Sequence, residues 1–233
     1  MSIEQTPVLT DTLNRITNQA ATAPVQPASV SLLDFIVKGG PIMIPIGLLC
    51  VMTAYIFIER YLTIKKASRV DKNFMSQIHD FMHNGNIAAA KTLCKNTDNP
   101  TARMIEKGIS RIGKPIKEIE AAVENIGKLE VHKLEKNMSI LGIIAGIAPM
   151  FGFVGTIIGV IKIFYNISLA DNISIGLIAG GLYEKMVTSA SGLIVGIIAY
   201  VGFHYLAIMT DKVIFKMESN AVEFIDLLQE PTA

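Results

Sequence analysis

The sequence predicts an all-α membrane protein with three transmembrane helices, two of them long and extending into a cytoplasmic helical bundle. Three observations predict it. Half of the 233 residues are apolar, with no Trp and only 18% charged. Three stretches, Gly39 to Ile58, Met138 to Ile161 and Met186 to Thr210, contain no Asp, Glu, Lys or Arg, and a helix needs about 20 such residues to cross hydrocarbon. Apolar stripes at helical spacing then continue from the second and third stretches into polar sequence.

The first 30 residues are rich in Thr, Ala, Pro and Gln and lack the basic start and apolar run of a cleaved signal. They read as a flexible tail, and the first span serves as the membrane address. Leu32, Leu33, Phe35 and Ile36 predict a short interfacial helix before Gly39-Gly40-Pro41, so residues 31–63 comprise that helix and the first span. Pro41 sits where a first turn tolerates it, and Pro45 predicts a kink. Glu59 and Arg60 close the span as a snorkelling pair.

Residues 64–137 hold fourteen of the 21 basic residues, whereas residues 166–176 hold none. The positive-inside rule places 64–137 in the cytoplasm, with the amino terminus and the 166–176 link outside and the carboxyl tail inside. Breaks at Asn84-Gly85-Asn86, Asn96 to Pro100 and Gly113 to Pro115 divide this segment into helices. From Ile116 the stripe Ile116, Ile119, Val123, Ile126 runs without a breaker into the second span, 138–165. After the third span, 177–210, the tail 211–233 carries the stripe Val213, Met217, Ala221, Phe224, Leu228. Each of these two helices is expected to reach about 50 residues and about 75 Å.

A net charge of +1 with interspersed signs argues against nucleic acid as a partner. Cys50 and Cys94 are read as packing residues. His79 and His83 lack a third candidate ligand, so no metal is expected. His132 lies in the charged approach to the second span, and an interfacial hydrogen bond is the expected role of His204. No phosphate loop, cofactor motif or Ser-His-Asp arrangement occurs, so the chain has no visible catalytic apparatus. Three spans without an inverted repeat argue against a secondary transporter.

Gly142 and Gly146, Gly155 and Gly159, and Gly192 and Gly196 are each four apart, a spacing that lets helix backbones approach closely. Thr156, Thr188 and Ser189 are the main hydroxyls in these glycine-rich helices, and each could bond a carbonyl of its own helix. Antiparallel packing with Thr156 level with Ser189 puts Lys162 within one residue of the level of Glu184. Charges at that depth are costly unless paired or facing water, so Lys162 and Glu184 are expected either to pair or to face a central pore.

The run Gly146-Ile-Ala-Pro-Met-Phe-Gly-Phe-Val-Gly-Thr-Ile-Ile-Gly159 resembles the second-span signature of the MotA/TolQ/ExbB proton-channel family. Gly39 to Ile46 with Phe57-Ile-Glu-Arg60, Asp98-Asn-Pro-Thr-Ala-Arg103, and Tyr183 to Leu193 resemble further family segments in the same order. The likeness covers about residues 36–210 and three spans bring it nearer ExbB and TolQ than MotA. It implies a homopentamer in the bacterial inner membrane whose second and third helices line a pore around an ExbD-like or TolR-like single-span dimer. An Asp of that partner would carry the proton, and a TonB-like protein would receive the work. Thr156, Ser189 and Glu184 match the family's pore positions, with Thr188 adjacent. Ser189 stands where the family usually has Thr, and Lys185 and Ser191 replace small apolar residues. This chain has no Asp in any span, which fits a proton carrier supplied by a partner. The rival readings are a TolQ-like envelope motor subunit and a structural scaffold that conducts nothing.

Overall fold

A computed structural model describes residues 40–69, 73–169 and 175–229, all within one unit, Lys38–Ala233. The expected tail, the interfacial helix up to residue 39 and residues 170–174 of the expected link lie outside the described residues. Among these there are seven helices: α1 (Met43–Ala67), α2 (Phe74–His83), α3 (Ile87–Asn96), α4 (Pro100–Ile109), α5 (Ile116–Glu135), α6 (Met138–Leu169) and α7 (Ile175–Gln229). Three are long and apolar enough to cross a membrane: α1, α6 and α7. The protein is therefore an all-α, multi-pass membrane protein.

The breaks fall where the turn residues predict them. Gly85 and Gly113 adopt positive φ, at 69° and 94°, a conformation that costs side-chain-bearing residues energy. Asn86 and Asn99 cap α3 and α4 by accepting from Ala89 N and Ala102 N. Pro45 falls within the first turn of α1, where its missing N–H has no helical partner to lose, so the geometry that makes Pro45 a kink does not arise.

One expectation about the long helices needs correction. α6 runs to Leu169 and α7 starts at Ile175. The helix from Ile116 is not continuous into the second span, because α5 ends at Glu135 and Asn137 adopts φ 63° before α6 begins. Asn is among the few residues with a side chain that enter the left-handed region readily. A helix break frees carbonyls, and here Arg60 Nη1 of α1 donates to Lys133 O at 3.1 Å. Arg60 is 5% exposed and also binds Glu59 through Nε and Nη2. It is thus a buried clamp on the broken helix rather than the snorkelling residue expected.

α7, in contrast, is unbroken from the membrane into the bundle, with Val213, Met217 and Phe224 buried against α4, α5 and the other helices of the bundle. Cys94 is buried in this core, and burial pushes its thiol up to about 12. A chain of ion pairs closes the bundle beneath the membrane. Lys66 and Arg103 bind Asp98, and Arg103 and Lys133 bind Glu130, at 2.6–2.8 Å. Burial pushes the Glu130 carboxyl up, but the hydrogen bonds from Arg103 and Lys133 outweigh it and hold Glu130 below the usual carboxylate range.

Within the membrane, α6 and α7 pack antiparallel along a stripe of small residues. A side chain at Gly192 would fall 2.6 Å from Ala148 O and 3.0 Å from Gly152 N; one at Gly196 would fall 2.5 Å from Pro149 and 3.1 Å from Ala145 O. Gly155 receives the Thr188 methyl, and Gly159 the aliphatic stem of Lys185. The buried positions Leu141, Ile144, Ala148, Gly152, Gly155 and Gly159 advance three or four at a time, the seam of left-handed helix packing. Gly142 meets only the Phe203 ring at ordinary contact, and Gly146 has no atom within 4 Å; Gly152, unpaired in the sequence pattern, belongs to the seam instead.

Gly192→Ala is expected to destabilise the purified protein by about 1–3 kcal/mol, because the new methyl meets backbone that cannot rotate away. Gly142→Ala is expected to be neutral or slightly stabilising, and thermal melts in detergent compare the two. Arg103→Ala leaves Glu130 short of a partner and is expected to cost about 2 kcal/mol, below the full buried-pair figure because Arg103 is 40% exposed. Since Glu130's folded pKa is depressed, its stabilisation is present above the ordinary carboxylate range and is lost as pH falls through the lowered value. The difference between wild type and Arg103→Ala therefore narrows in acid, as melts at neutral and acidic pH will show.

Candidate functional site: the seam between the second and third spans

The seam sets the level of every hydroxyl singled out in the sequence. Gly152 lies against Ser189, Gly155 against Thr188, Gly159 against Lys185, and Ile163 against Gly181. Thr156, next to Gly155, therefore lies at the level of Thr188 and Ser189.

The three hydroxyls do not share one environment. Thr188 is completely buried, its methyl on Gly155 and its Oγ1 donating to Glu184 O at 3.3 Å. Within the subunit it is enclosed between α6 and α7 and faces no opening. Thr156 and Ser189 are half-buried at the margin of the seam. Thr156 Oγ1 donates to Phe153 O at 2.6 Å, a bond internal to its own helix. Ser191 likewise donates to Val187 O at 2.9 Å. These hydroxyls keep their lone pairs as acceptors while satisfying their protons locally.

Of the two arrangements expected for Lys162 and Glu184, the pairing is not the one found. Glu184 is paired with its neighbour Lys185, Nζ to Oε1 at 3.0 Å. The seam explains the exchange: Gly159 has no side chain, so the Lys185 stem lies across it and delivers the ammonium to Glu184. Lys162 is exposed, and its level falls between those of Lys185 and Gly181. Gly40 at the start of the described chain is close by, since a side chain there would lie 3.8 Å from Lys185 Nζ. Lys185 is the residue whose role the sequence left unread; the signal was a lysine opposite a glycine in an antiparallel pair.

Other candidates fall away from this seam. His204 lies edge-on to Tyr200, 4.4 Å between ring centroids, and beside Phe203. His79 and His83 lie 6.2 Å apart on α2. Among the described residues no group of three or more His, Cys, Asp or Glu is placed to hold a metal ion.

Comparison with known proteins bears on the same helices. A family model described as the MotA/TolQ/ExbB proton channel family matches residues 96–219, a stretch that includes the whole seam. A putative biopolymer transport protein ExbB homolog of Methanothermobacter thermautotrophicus is 25% identical over 189 residues, covering 81% of this chain and 67% of that protein. Biopolymer transport protein exbB1 of Vibrio cholerae is 28% identical over 100 residues, 42% of this chain and 43% of the relative. The Tol-Pal system protein TolQ of Haemophilus influenzae is 27% identical over 97 residues, 42% and 41% of the two chains. The chain thus spans about two thirds of the first relative and under half of the other two. With more than half of its length matched by the family model, through both glycine-rich spans and the hydroxyls at their seam, the chain belongs to the MotA/TolQ/ExbB proton channel family.

Proposed function

We propose that this chain is the ExbB-like subunit of a proton-driven motor in a bacterial inner membrane, with its amino terminus periplasmic and its carboxyl terminus cytoplasmic. It forms a pentamer around an ExbD-like dimer and energises a TonB-like protein. The observation that carries the reading is the open margin of the α6–α7 seam, where Thr156 and Ser189 stay half-buried while Thr188 closes the seam behind them. Hydroxyls at such a margin offer acceptor lone pairs to a proton carried by a partner's acid, at a depth where water is scarce. Glu184, Lys185 and Lys162 form the charged rim of the same path. Each proton crossing 100 mV releases about 2.3 kcal/mol, so a few protons suffice to step one element past another. The likeness to TolQ supports a second reading, a motor of the same mechanism that acts on the envelope through a TolR-like dimer.

The test uses the protein co-purified with its single-span partner in proteoliposomes. Thr156→Ala and Ser189→Ala are expected to leave assembly by native mass unchanged, because neither hydroxyl bonds another helix among the described contacts. A net hydrogen bond is worth about 1 kcal/mol, so proton flux and proton-driven work are expected to fall about fivefold for each variant. Charge reversal at Lys162 or at Glu184 is expected to lower conduction as well. Full proton flux through all of these changes would remove these side chains from the path, and an unaltered complex that carries no flux would make the chain a scaffold, not a motor subunit. Pairing with a TolR-like rather than an ExbD-like neighbour would select the second reading.

A further inference from the structure

The cytoplasmic bundle carries an unfilled groove of about 810 Å³ between α5 and the end of α7, with Met104 of α4 on its lining. Val123 and Met217 line it as buried side chains, whereas Val222 is 61% exposed. Five carboxylates border it, Glu120, Glu124, Glu135, Glu218 and Asp226, against Lys128 and His132. Lys128 is already bound to Glu124 at 2.6 Å, and no ion pair among the described residues reaches the other four carboxylates. Such a border around an apolar floor is self-repelling as it stands.

The compensating charge lies on the same chain but elsewhere. Residues 65–117 carry eleven Lys and Arg against four Asp and Glu, whereas residues 118–135 carry five acids against two Lys and residues 211–229 four against two. Lys95, Lys107, Arg111, Lys114 and Lys117, on α3 and α4 and about the turn into α5, do not line the groove, and no ion pair among the described residues involves them. These acids and bases are not joined to one another among the described residues of one copy, and their opposite signs match between copies.

We infer that the α5–α7 groove is the docking face for a second copy of this chain, which enters it with the basic residues around its own α4–α5 turn. Two different patches meeting make a head-to-tail contact, the kind that closes into a ring rather than a two-fold dimer. Opposite signs on the two patches set the orientation of each copy to the next and disfavour groove against groove. The assignment rests on the ring proposed above and gives that ring a cytoplasmic contact separate from the membrane seam.

The experiment treats the full complex, purified with its single-span partner, with a carbodiimide that joins carboxylates to lysines in direct contact. The unaltered chain is expected to give a ladder of covalently joined copies, with Glu120 or Glu218 linked to lysines of residues 107–117. Salt at about 1 M, where the screening length is about 3 Å, is expected to weaken it. Glu120→Lys with Glu218→Lys, both exposed, is expected to reduce the ladder about fivefold, since each exposed pair contributes a fraction of a kcal/mol. Adding Arg111→Glu and Lys114→Glu to the same chain is expected to restore it. A ladder indifferent to the reversal, a failure of the fourfold variant to restore it, or links running from the groove to the single-span partner would each overturn the assignment. A ring seen by native mass together with any of these results leaves the motor reading standing; a monomer in the unaltered chain removes both.

Discussion

The closeness of α6 to α7 is the constraint on which the rest of the molecule depends. In a bilayer no hydrophobic force draws helices together, so the contact must come from packing and from weak interactions that only near backbones can make. Gly152 and Gly192 supply that nearness, and Gly196 admits the Pro149 ring and the Ala145 carbonyl, which lacks its usual N–H partner because residue 149 is a proline. The same nearness accommodates a charge. Lys185 lies across Gly159 and reaches Glu184, so an ammonium that would be costly in hydrocarbon is held by its own neighbour. A larger residue at 159 would displace the lysine stem and leave the glutamate without its cation.

Outside the membrane the two long elements have different mechanical character. α7 is one helix from the seam to the end of the bundle, whereas the corresponding path through α5 and α6 is jointed at Lys136 and Asn137. The joint is not loose, because the buried Arg60 of α1 takes up the carbonyl that the break releases. The ion pairs from Lys66 through Asp98, Arg103 and Glu130 to Lys133 tie the same region to α4. α7 is therefore the continuous connection between seam and bundle, while α1 holds the joint from which α5 leads away.

Much of this was legible in the sequence, and the residues show why some was not. Absence of charge marks a span whatever surrounds it, and Asn-Gly and Asn-Pro mark turns because their backbone preferences are local. The break at Asn137 was hidden because neither glycine nor proline accompanies it, and its support comes from Arg60, which binds the carbonyl of Lys133, 73 residues further along the chain. Gly142 and Gly146 looked like a packing pair because four-residue spacing is all a sequence displays. Which face of a helix meets its neighbour depends on the whole seam, and Gly152 lies on it although no second glycine four residues away advertises it. Which lysine meets Glu184 was open for a related reason: side-chain reach decides partners, and Lys185 needed only the gap at Gly159.

The hydroxyl pattern follows from the same geometry. At position 188 the methyl is the useful group, filling the space over Gly155 while the hydroxyl returns to Glu184 O. At position 189 the backbone itself lies against Gly152, so that a side chain there would fall 3.0 Å from Ser189 O. A serine at 189 keeps a hydroxyl at the margin of the seam without adding the methyl that threonine would bring to an already close contact. The bulk that fills the seam at this level is supplied one residue back, by Thr188. Bulk sits where the helices must be held together, and the smaller hydroxyl sits at the edge that a partner could reach.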